Sequence, residues 1–403
     1  MKQRERSDRP SLRPVRTIEL SDAHTKLRLA LLIVCLAVAA AALACAVNSL
    51  ISTDAGLQEI EAYDTGELSS ADEFTFYYEV GMGELSATEE YKALRSLYTQ
   101  AAQDAYELLS AEMEFDGCSN IWYLNQHIGE AVTVDGALYQ ALSAMEQSGA
   151  RYLYLAPVYE LYQSMLQSQS DYEADDFDPY ENETLADFCA QAAAYLNDPE
   201  AIDLELLGDN TVILRVSEEY LRFGQENGIT RWIDFFWLKN AFAADLIAQQ
   251  LIDSGYTRGM LISGDGFVRG LGEDIGTEFS LELPHREGLV VTGLATLSFS
   301  GSVSLACLRD YPLEGESSGW YYVREDGQIR TRYVDTADGL CKSALPELVV
   351  CSTTLSCGET ALLAASLFIA DSLDPDLLHA LADRGAFAYY YDGDELICTQ
   401  PEG

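Results

Sequence analysis

Residues 231–255, RWIDFFWLKNAFAADLIAQQLIDSG, hold the side chains whose types and spacing come nearest to chemistry. They read as the end of a strand, a sharp turn and an amphipathic helix. Backbone N–H groups at a helix start attract anions, so such a turn suits the phosphates of a nucleotide. Glycine usually permits that approach, because it carries no Cβ. Here Phe235, Phe236 and Trp237 stand in the turn. Asp234 precedes them, where an acid either contacts a ligand or caps the helix. Asp245, further along the helix, reads as a solvated face residue. The segment 264–272, GDGFVRGLG, holds a partial G-x-G pattern that a nucleotide site or a tight hairpin explains equally well.

Other constellations offer less. His24, His127, His285 and His379 have no metal-ligand spacing. Nine cysteines include no C-x-x-C; those outside the N-terminal apolar run read as buried, unpaired thiols, the alternative being an oxidised pair, for which Cys351 and Cys357 are nearest in sequence. The acidic run at 170–185, SDYEADDFDPYENETL, lacks the regular oxygen spacing and central glycine of a calcium loop. It reads as a solvated surface insertion. No G-x-S-x-G, P-loop or H-E-x-x-H motif is present.

The elements that must position these residues begin with charge. The 403 residues carry a formal net charge of -42, unevenly placed. Residues 1–28 hold eight basic and four acidic side chains, and 29–50 hold none. The totals of 24 and 66 therefore leave 16 basic and 62 acidic residues beyond that point. Such a body repels nucleic acid and anionic lipid. The uncharged run from Leu29 is apolar for 19 residues, close to the roughly 20 that span a bilayer. Its basic flank places the N-terminus in the cytoplasm. ALAC at 42–45 is a poor lipoprotein cleavage site, so an uncleaved signal anchor is expected. The expected layout is a cytoplasmic tail at 1–28, a transmembrane helix at 29–50, an acidic stalk at 51–72 and an extracytoplasmic domain at 73–403. The protein is then a single-pass cell-membrane protein.

Within that domain EFTFYYEV alternates as a strand, and the segment from Ser86 has helical periodicity with a Ser86-x-x-Glu89 capping box. Further helices are expected over DGALYQALSAMEQSGA, APVYELYQSMLQSQ and TLADFCAQAAAYLND. From Leu204 onward strands and turns dominate, with RWIDFF read as a strand and helices at 239, at GETALLAASLF and at PDLLHALADRG. A hairpin turning on Asp392-Gly393 ends the chain. Helices and strands mix without strict alternation, so the fold class is α+β, or mixed α/β.

Five segments share more than secondary structure. They are VGMGEL around Met82; the run from Ser119 through Leu124, Asn125, Gly129, Glu130, Leu138, Tyr139, Gly149, Ala150 and Pro157; the stretch 232–272; RYVDTADG; and GETALLAASLF. In this order they resemble the ApbE family, the FAD:protein FMN transferases, from about Phe74 to the C-terminus. The resemblance implies an extracytoplasmic, magnesium-dependent enzyme. Such an enzyme splits FAD and places FMN on a Thr or Ser of a partner, often a subunit of a membrane electron-transfer complex.

The resemblance also implies flavin-contacting positions at Met82, Tyr152, Asp234 and Asn240. Met82 and Asp234 match the family. Tyr152 stands where it has Asp, Asn240 where it has Lys, Phe236 and Trp237 where it has two Gly, and Arg332 where it has His. Its two metal ligands fall on Ala361 and Ala365, and an alanine methyl cannot coordinate magnesium. A shifted alignment would put Glu359 and Thr360 there instead. The expectation is a degenerate homologue that binds FAD, another flavin or a flavin-carrying electron-transfer partner, with no assigned catalytic residue. The alternative is an active FMN transferase with a rebuilt magnesium site.

Overall fold

Alternation in FTFYYEV buries Phe76, Tyr78 and Val80 on one face of a strand, and that face backs the largest core. The computed structural model describes residues 53–272, 278–287, 290–313 and 319–400, which from Asp54 onward form one compact unit. The basic tail and the apolar run at 29–50 lie outside the described residues. Among the described residues no helix is long and apolar enough to cross a membrane.

Strands β1 (Gly56–Glu59) and β2 (Phe74–Val80) are followed by helices α1 (Ala87–Leu109) and α2 (Ile121–Gln126). Next come β3 (Val132–Thr133), α3 (Gly136–Ser148), α4 (Ala156–Leu166), α5 (Asp171–Ala174) and α6 (Glu183–Leu196). A hairpin of β4 (Ile202–Gly208) and β5 (Thr211–Val216) leads to α7 (Glu218–Asn227) and α8 (Lys239–Asp253). Then β6 (Gly259–Ser263), β7 (Phe267–Gly270), β8 (Phe279–Glu287), β9 (Val290–Phe299), β10 (Ser304–Arg309), β11 (Tyr321–Val323), β12 (Ile329–Thr331) and β13 (Glu347–Ser352) run on. Helices α9 (Cys357–Phe368) and α10 (Pro375–Ala380) precede β14 (Ala386–Asp392) and β15 (Glu395–Cys398).

Eight strands form the main sheet in the order β1-β2-β6-β7-β10-β13-β14-β15, all antiparallel. Both of its faces are covered. In β10, Ala306 and Leu308 face the large core under helices α8 and α9, while Leu305 and Cys307 face a smaller core closed by the β8–β9 ribbon. In β13, Leu348 and Val350 alternate with Val349 and Cys351 in the same way. Two covered faces explain why these strands are apolar throughout rather than alternating. Helix α1 carries the expected capping box between Ser86 and Glu89 and packs along α8.

Four expectations change. The presumed stalk at 51–72 contributes β1, which pairs Gly56–Glu59 with β2, and Ile60 is buried in the core. Its acidic side chains line the exposed side, so composition hid the pairing. RWIDFF is not a strand; the N–H groups of Trp232 and Ile233 are taken by a side chain, as described below. The last hairpin turns on Gly393 and Asp394, because Asp392 pairs with Glu395. Finally, the acidic run at 170–185 is a strap across the β11–β12 hairpin and is not a solvated insertion. Asp178 is fully buried and accepts from Arg330 Nε at 2.9 Å and Arg324 Nη1 at 3.2 Å. Asp175 takes Arg324 Nη1 at 2.9 Å, and Asp171 takes the Tyr322 hydroxyl at 2.7 Å.

Candidate functional site

The turn that leads into α8 is held from outside by Asn125 of α2. Its Oδ1 accepts from the N–H of Trp232 at 2.8 Å and of Ile233 at 3.0 Å, and its Nδ2 donates to the Ile233 carbonyl at 2.9 Å. The Asp234 N–H donates to the Leu153 carbonyl at 2.9 Å. Asp234 then folds back: its Oδ1 accepts from the Phe236 N–H at 2.9 Å, and its Oδ2 lies 3.4 Å from Arg231 Nη1. Burial raises the Asp234 pKa above the usual carboxylate value, against the lowering pull of that N–H and of Arg231. Asp234 thus closes a side-chain turn onto the first N–H of the 3₁₀ turn Phe236–Leu238, which runs directly into α8.

Phe236 has φ +43°, the left-handed region. Two other described non-glycine residues share it, Asp209 and Asn210, both in the β4–β5 turn where such residues are tolerated. For a phenylalanine the conformation costs about 1–2 kcal/mol. The Asp234 carboxylate holds it, and the ring stacks on Tyr159 at 4.5 Å. The backbone therefore keeps a turn that suits glycine while the side chain is aromatic. Trp237 turns inward instead, edge-on to Tyr152 at 6.1 Å and Tyr333 at 5.2 Å. Replacing Phe236 with glycine relieves the strain but removes a stacked pair worth about 0.5–1.5 kcal/mol and adds unfolded-state freedom. These effects nearly cancel. Urea unfolding of Phe236→Gly should stay within about 1 kcal/mol of the parent; a loss above about 2 kcal/mol would show that the ring, not the backbone, sets the turn.

In front of this turn lies a cleft of about 300 Å³. Its walls come from α8, the β6–β7 turn, helix α1, the 3₁₀ turn Ser70–Glu73 and the strands around Arg332. Asp265, in the G-D-G turn, is the polar centre. Its Oδ2 accepts from Asn240 Nδ2 at 3.0 Å and from Arg332 Nη1 at 3.2 Å, while its buried Oδ1 has no partner. Arg332 lies over the Trp320 ring at 5.0 Å. Lys239 places Nζ over the Tyr106 ring at 4.2 Å and forms no ion pair among the described residues. Burial lowers its pKa, against the raising influence of Asp234, Glu112 and Glu73.

Three sequence positions singled out above therefore converge, namely the Phe236-Trp237 turn, Asn240 and Arg332. Tyr152 is buried behind Trp237 and does not line the cleft. Met82 is 57% exposed in the turn after β2 and is not part of the cleft wall. Glu73, which does line the wall, precedes β2, and the strand carries the chain about 20 Å away before Met82. Lys239, Asp265, Tyr106 and Trp320 were not foreseen as site residues. Only Asp265 had a signal, the G-x-G pattern.

Magnesium does not fit the helix where the resemblance puts its ligands. Ala361 and Ala365 of α9 are fully buried. Glu359 is committed to the Ser356 N–H at 2.9 Å in a capping box, and Thr360 Oγ1 donates to the Ser356 carbonyl at 2.8 Å. Asp245 is not a solvated face residue either. It accepts from the N–H groups of Cys357 at 2.8 Å and Gly358 at 2.7 Å, at the start of α9, and pairs with Arg269 at 3.2 Å. Burial raises its pKa, opposed by Arg269 and those two N–H groups. Among the described residues no group of three or more His, Cys, Asp or Glu is placed to hold a metal ion.

Comparison with solved structures gives the fold a precedent. The chain is similar to an ApbE protein of Thermotoga maritima, with TM-score 0.55 and 13% identity over 83% of this chain and 94% of that one. It is similar to the flavin transferase ApbE of Vibrio cholerae, with TM-score 0.55 and 14% identity over 86% and 97%. The apo flavinyl transferase ApbE of Pseudomonas stutzeri gives TM-score 0.53 and 14% identity over 86% and 94%. The sequence matches no protein-family model and no curated protein. The fold is that of the ApbE flavin transferases, highly diverged in sequence.

Proposed function

We propose that this protein is a flavin- or nucleotide-binding module on the ApbE fold, and that it performs no magnesium-dependent transfer of FMN. The observation that carries the reading is α9, where the two positions expected to ligate the metal are buried alanines, while Glu359 Oε2 and Thr360 Oγ1 next to them are engaged with Ser356 in the helix cap. Phosphoryl-group transfer depends on positioning and on neutralising charge at the phosphates, which the metal supplies in magnesium enzymes. A binding role needs neither ligand. The cleft is lined by the aromatic side chains of Phe236 and Trp320 and by Lys239, with Asn240 and Arg332 bonded to Asp265 at its polar centre.

The alternative, an active transferase with a relocated metal site, draws on the retained Asp234 and the left-handed turn at Phe236. One assay separates the two. The protein is incubated with FAD, Mg²⁺ and an acceptor domain that carries a flavin-accepting Thr or Ser. The expected result is no covalent flavin fluorescence on the acceptor and no release of AMP. Turnover that Asp234→Ala abolishes would overturn the binding-module reading. Anchoring through residues 29–50, with the C-terminal domain outside and a flavin-carrying electron-transfer protein as partner, completes the proposal. Protease added to intact cells should then remove the domain and spare the tail.

A further inference from the structure

The 3₁₀ turn Ser70–Glu73 borders two hollows. Ser70 and Glu73 line the cleft, whereas Ala71 and Asp72 line a separate groove of about 520 Å³ formed by the 59–72 segment, β2 and α1. Five carboxylates stand in its wall, those of Glu59, Glu61, Asp64, Glu67 and Asp72, and among the described residues none of them forms an ion pair. No Lys or Arg lines it. Arg95 of α1 donates from Nη2 to the Ala62 carbonyl at 3.1 Å, lies over the Tyr63 ring at 4.2 Å and is not part of the wall. In a chain of net charge -42 an acidic wall is ordinary on its own. What sets this one apart is a hydroxyl. Tyr98 is 1% exposed, and its hydroxyl has no hydrogen-bond partner. The side chain belongs to the groove wall beside Phe76, and the charge of Asp72, also in that wall, acts on it. A buried hydroxyl left unpaired is destabilising, and a ligand N–H on its oxygen would remove that penalty.

We propose that this groove binds a linear polyamine, its ammonium groups distributed along the five carboxylates, one N–H on the Tyr98 hydroxyl oxygen and its methylenes on Phe74 and Phe76. The inference concerns a different site from the cleft and does not rest on the binding-module reading. The placement of the charges selects the ligand. Among the described residues no three carboxylates are placed to hold one metal ion, so the negative charge is spread along the groove rather than focused at a point. Spread charge is matched by a ligand whose own charges are separated by an apolar chain, and a wall of one sign concentrates counter-ions of the other. Phe74 and Phe76 suit the methylenes and offer aromatic carbon to an ammonium. Volume favours a small ligand over a basic polypeptide, since about 520 Å³ falls within the range of small-molecule sites, about 300–1,000 Å³.

Calorimetric titration of the full-length protein in a non-ionic detergent tests this, with spermidine, n-butylamine, Ca²⁺ and tetralysine as the probes. Spermidine should bind one-to-one at physiological salt, at least tenfold tighter than the other three. Glu67→Gln combined with Asp72→Asn should weaken it fivefold or more. Glu218→Gln combined with Glu219→Gln, which removes two exposed carboxylates from α7, should leave it within twofold. Tyr98→Phe should weaken spermidine about threefold and leave the urea midpoint at or above that of the parent, because the hydroxyl has no partner in the free protein. That midpoint separates a lost contact from lost folding. Equal losses in the two double variants would show diffuse attraction to an acidic surface. Ca²⁺ or tetralysine binding as tightly as spermidine would assign the groove to a metal or a basic peptide. Either result overturns the proposal, as does a Tyr98→Phe variant that binds like the parent or a parent that binds no spermidine. None of these outcomes bears on the flavin reading of the cleft.

Discussion

Asn125→Ala should lower the unfolding free energy by about 3 kcal/mol or more and abolish ligand binding in the cleft. The side chain is 3% exposed and spans more than a hundred residues of sequence to reach the segment before Asp234. Its loss strands two N–H donors and one carbonyl in the interior, each worth about 1–3 kcal/mol when left unsatisfied. Relaxation recovers part of that, which sets the figure near the lower sum. The functional effect follows from geometry. Trp232 and Ile233 fix where Asp234 begins, and Asp234 fixes the left-handed turn at Phe236. Asn125→Asp is the informative control. It keeps acceptors for both N–H groups, cannot donate to the Ile233 carbonyl, and adds a buried charge. Urea unfolding and a binding titration together decide it. A loss under about 1 kcal/mol with binding intact would mean that the turn is held by other bonds.

Asp178→Ala should be nearly as damaging, at about 3 kcal/mol, because buried Arg330 loses its nearest carboxylate and keeps only Glu181, while Arg324 is left to Asp175. Asp178 also accepts from the Tyr180 N–H at 3.0 Å through its other oxygen, so the acidic strap itself loses a fixed point. Asp178→Asn should fall between parent and alanine, since it keeps the shape and loses the charge. The consequence reaches the cleft. Arg330 lies in β12, two residues before Arg332, and Trp320 immediately precedes β11. Loosening the β11–β12 hairpin frees both cleft residues from one side. Amide exchange should therefore accelerate across 321–331 more than in α8. Uniform acceleration throughout the chain would show a purely global loss of stability.

Much of this architecture was legible in the sequence. The capping box of Ser86 and Glu89, the alternation of β2 and the helical period from Lys239 are local patterns, and each appears where the pattern put it. Of the flavin-contacting positions the resemblance implied, Met82, Tyr152, Asp234 and Asn240, only Asn240 lines the cleft, beside Phe236, Trp237 and Arg332. What escaped was non-local. The strap at 170–185 reads as solvated because its cations lie about 150 residues away, in a hairpin with no unusual composition. RWIDFF has strand-forming residues, but its donors go to an asparagine side chain rather than to a neighbouring strand. Asp245 looked exposed because its partners are the N–H groups of a helix more than a hundred residues on. Tyr106 and Trp320 look like packing aromatics, and nothing in their own neighbourhoods marks them for the cleft.

The left-handed Phe236 and helix α9 also differ in what a single substitution could do. At the turn the backbone has the shape that glycine prefers, so a glycine there requires no movement of the main chain and little change in stability. Helix α9 offers no such tolerance. A carboxylate at Ala361 or Ala365 would enter a closed apolar core, where an unpaired charge costs several kcal/mol. The turn can therefore open space by one substitution that the fold already accommodates, whereas a metal ligand on α9 would require the interior around it to be rebuilt.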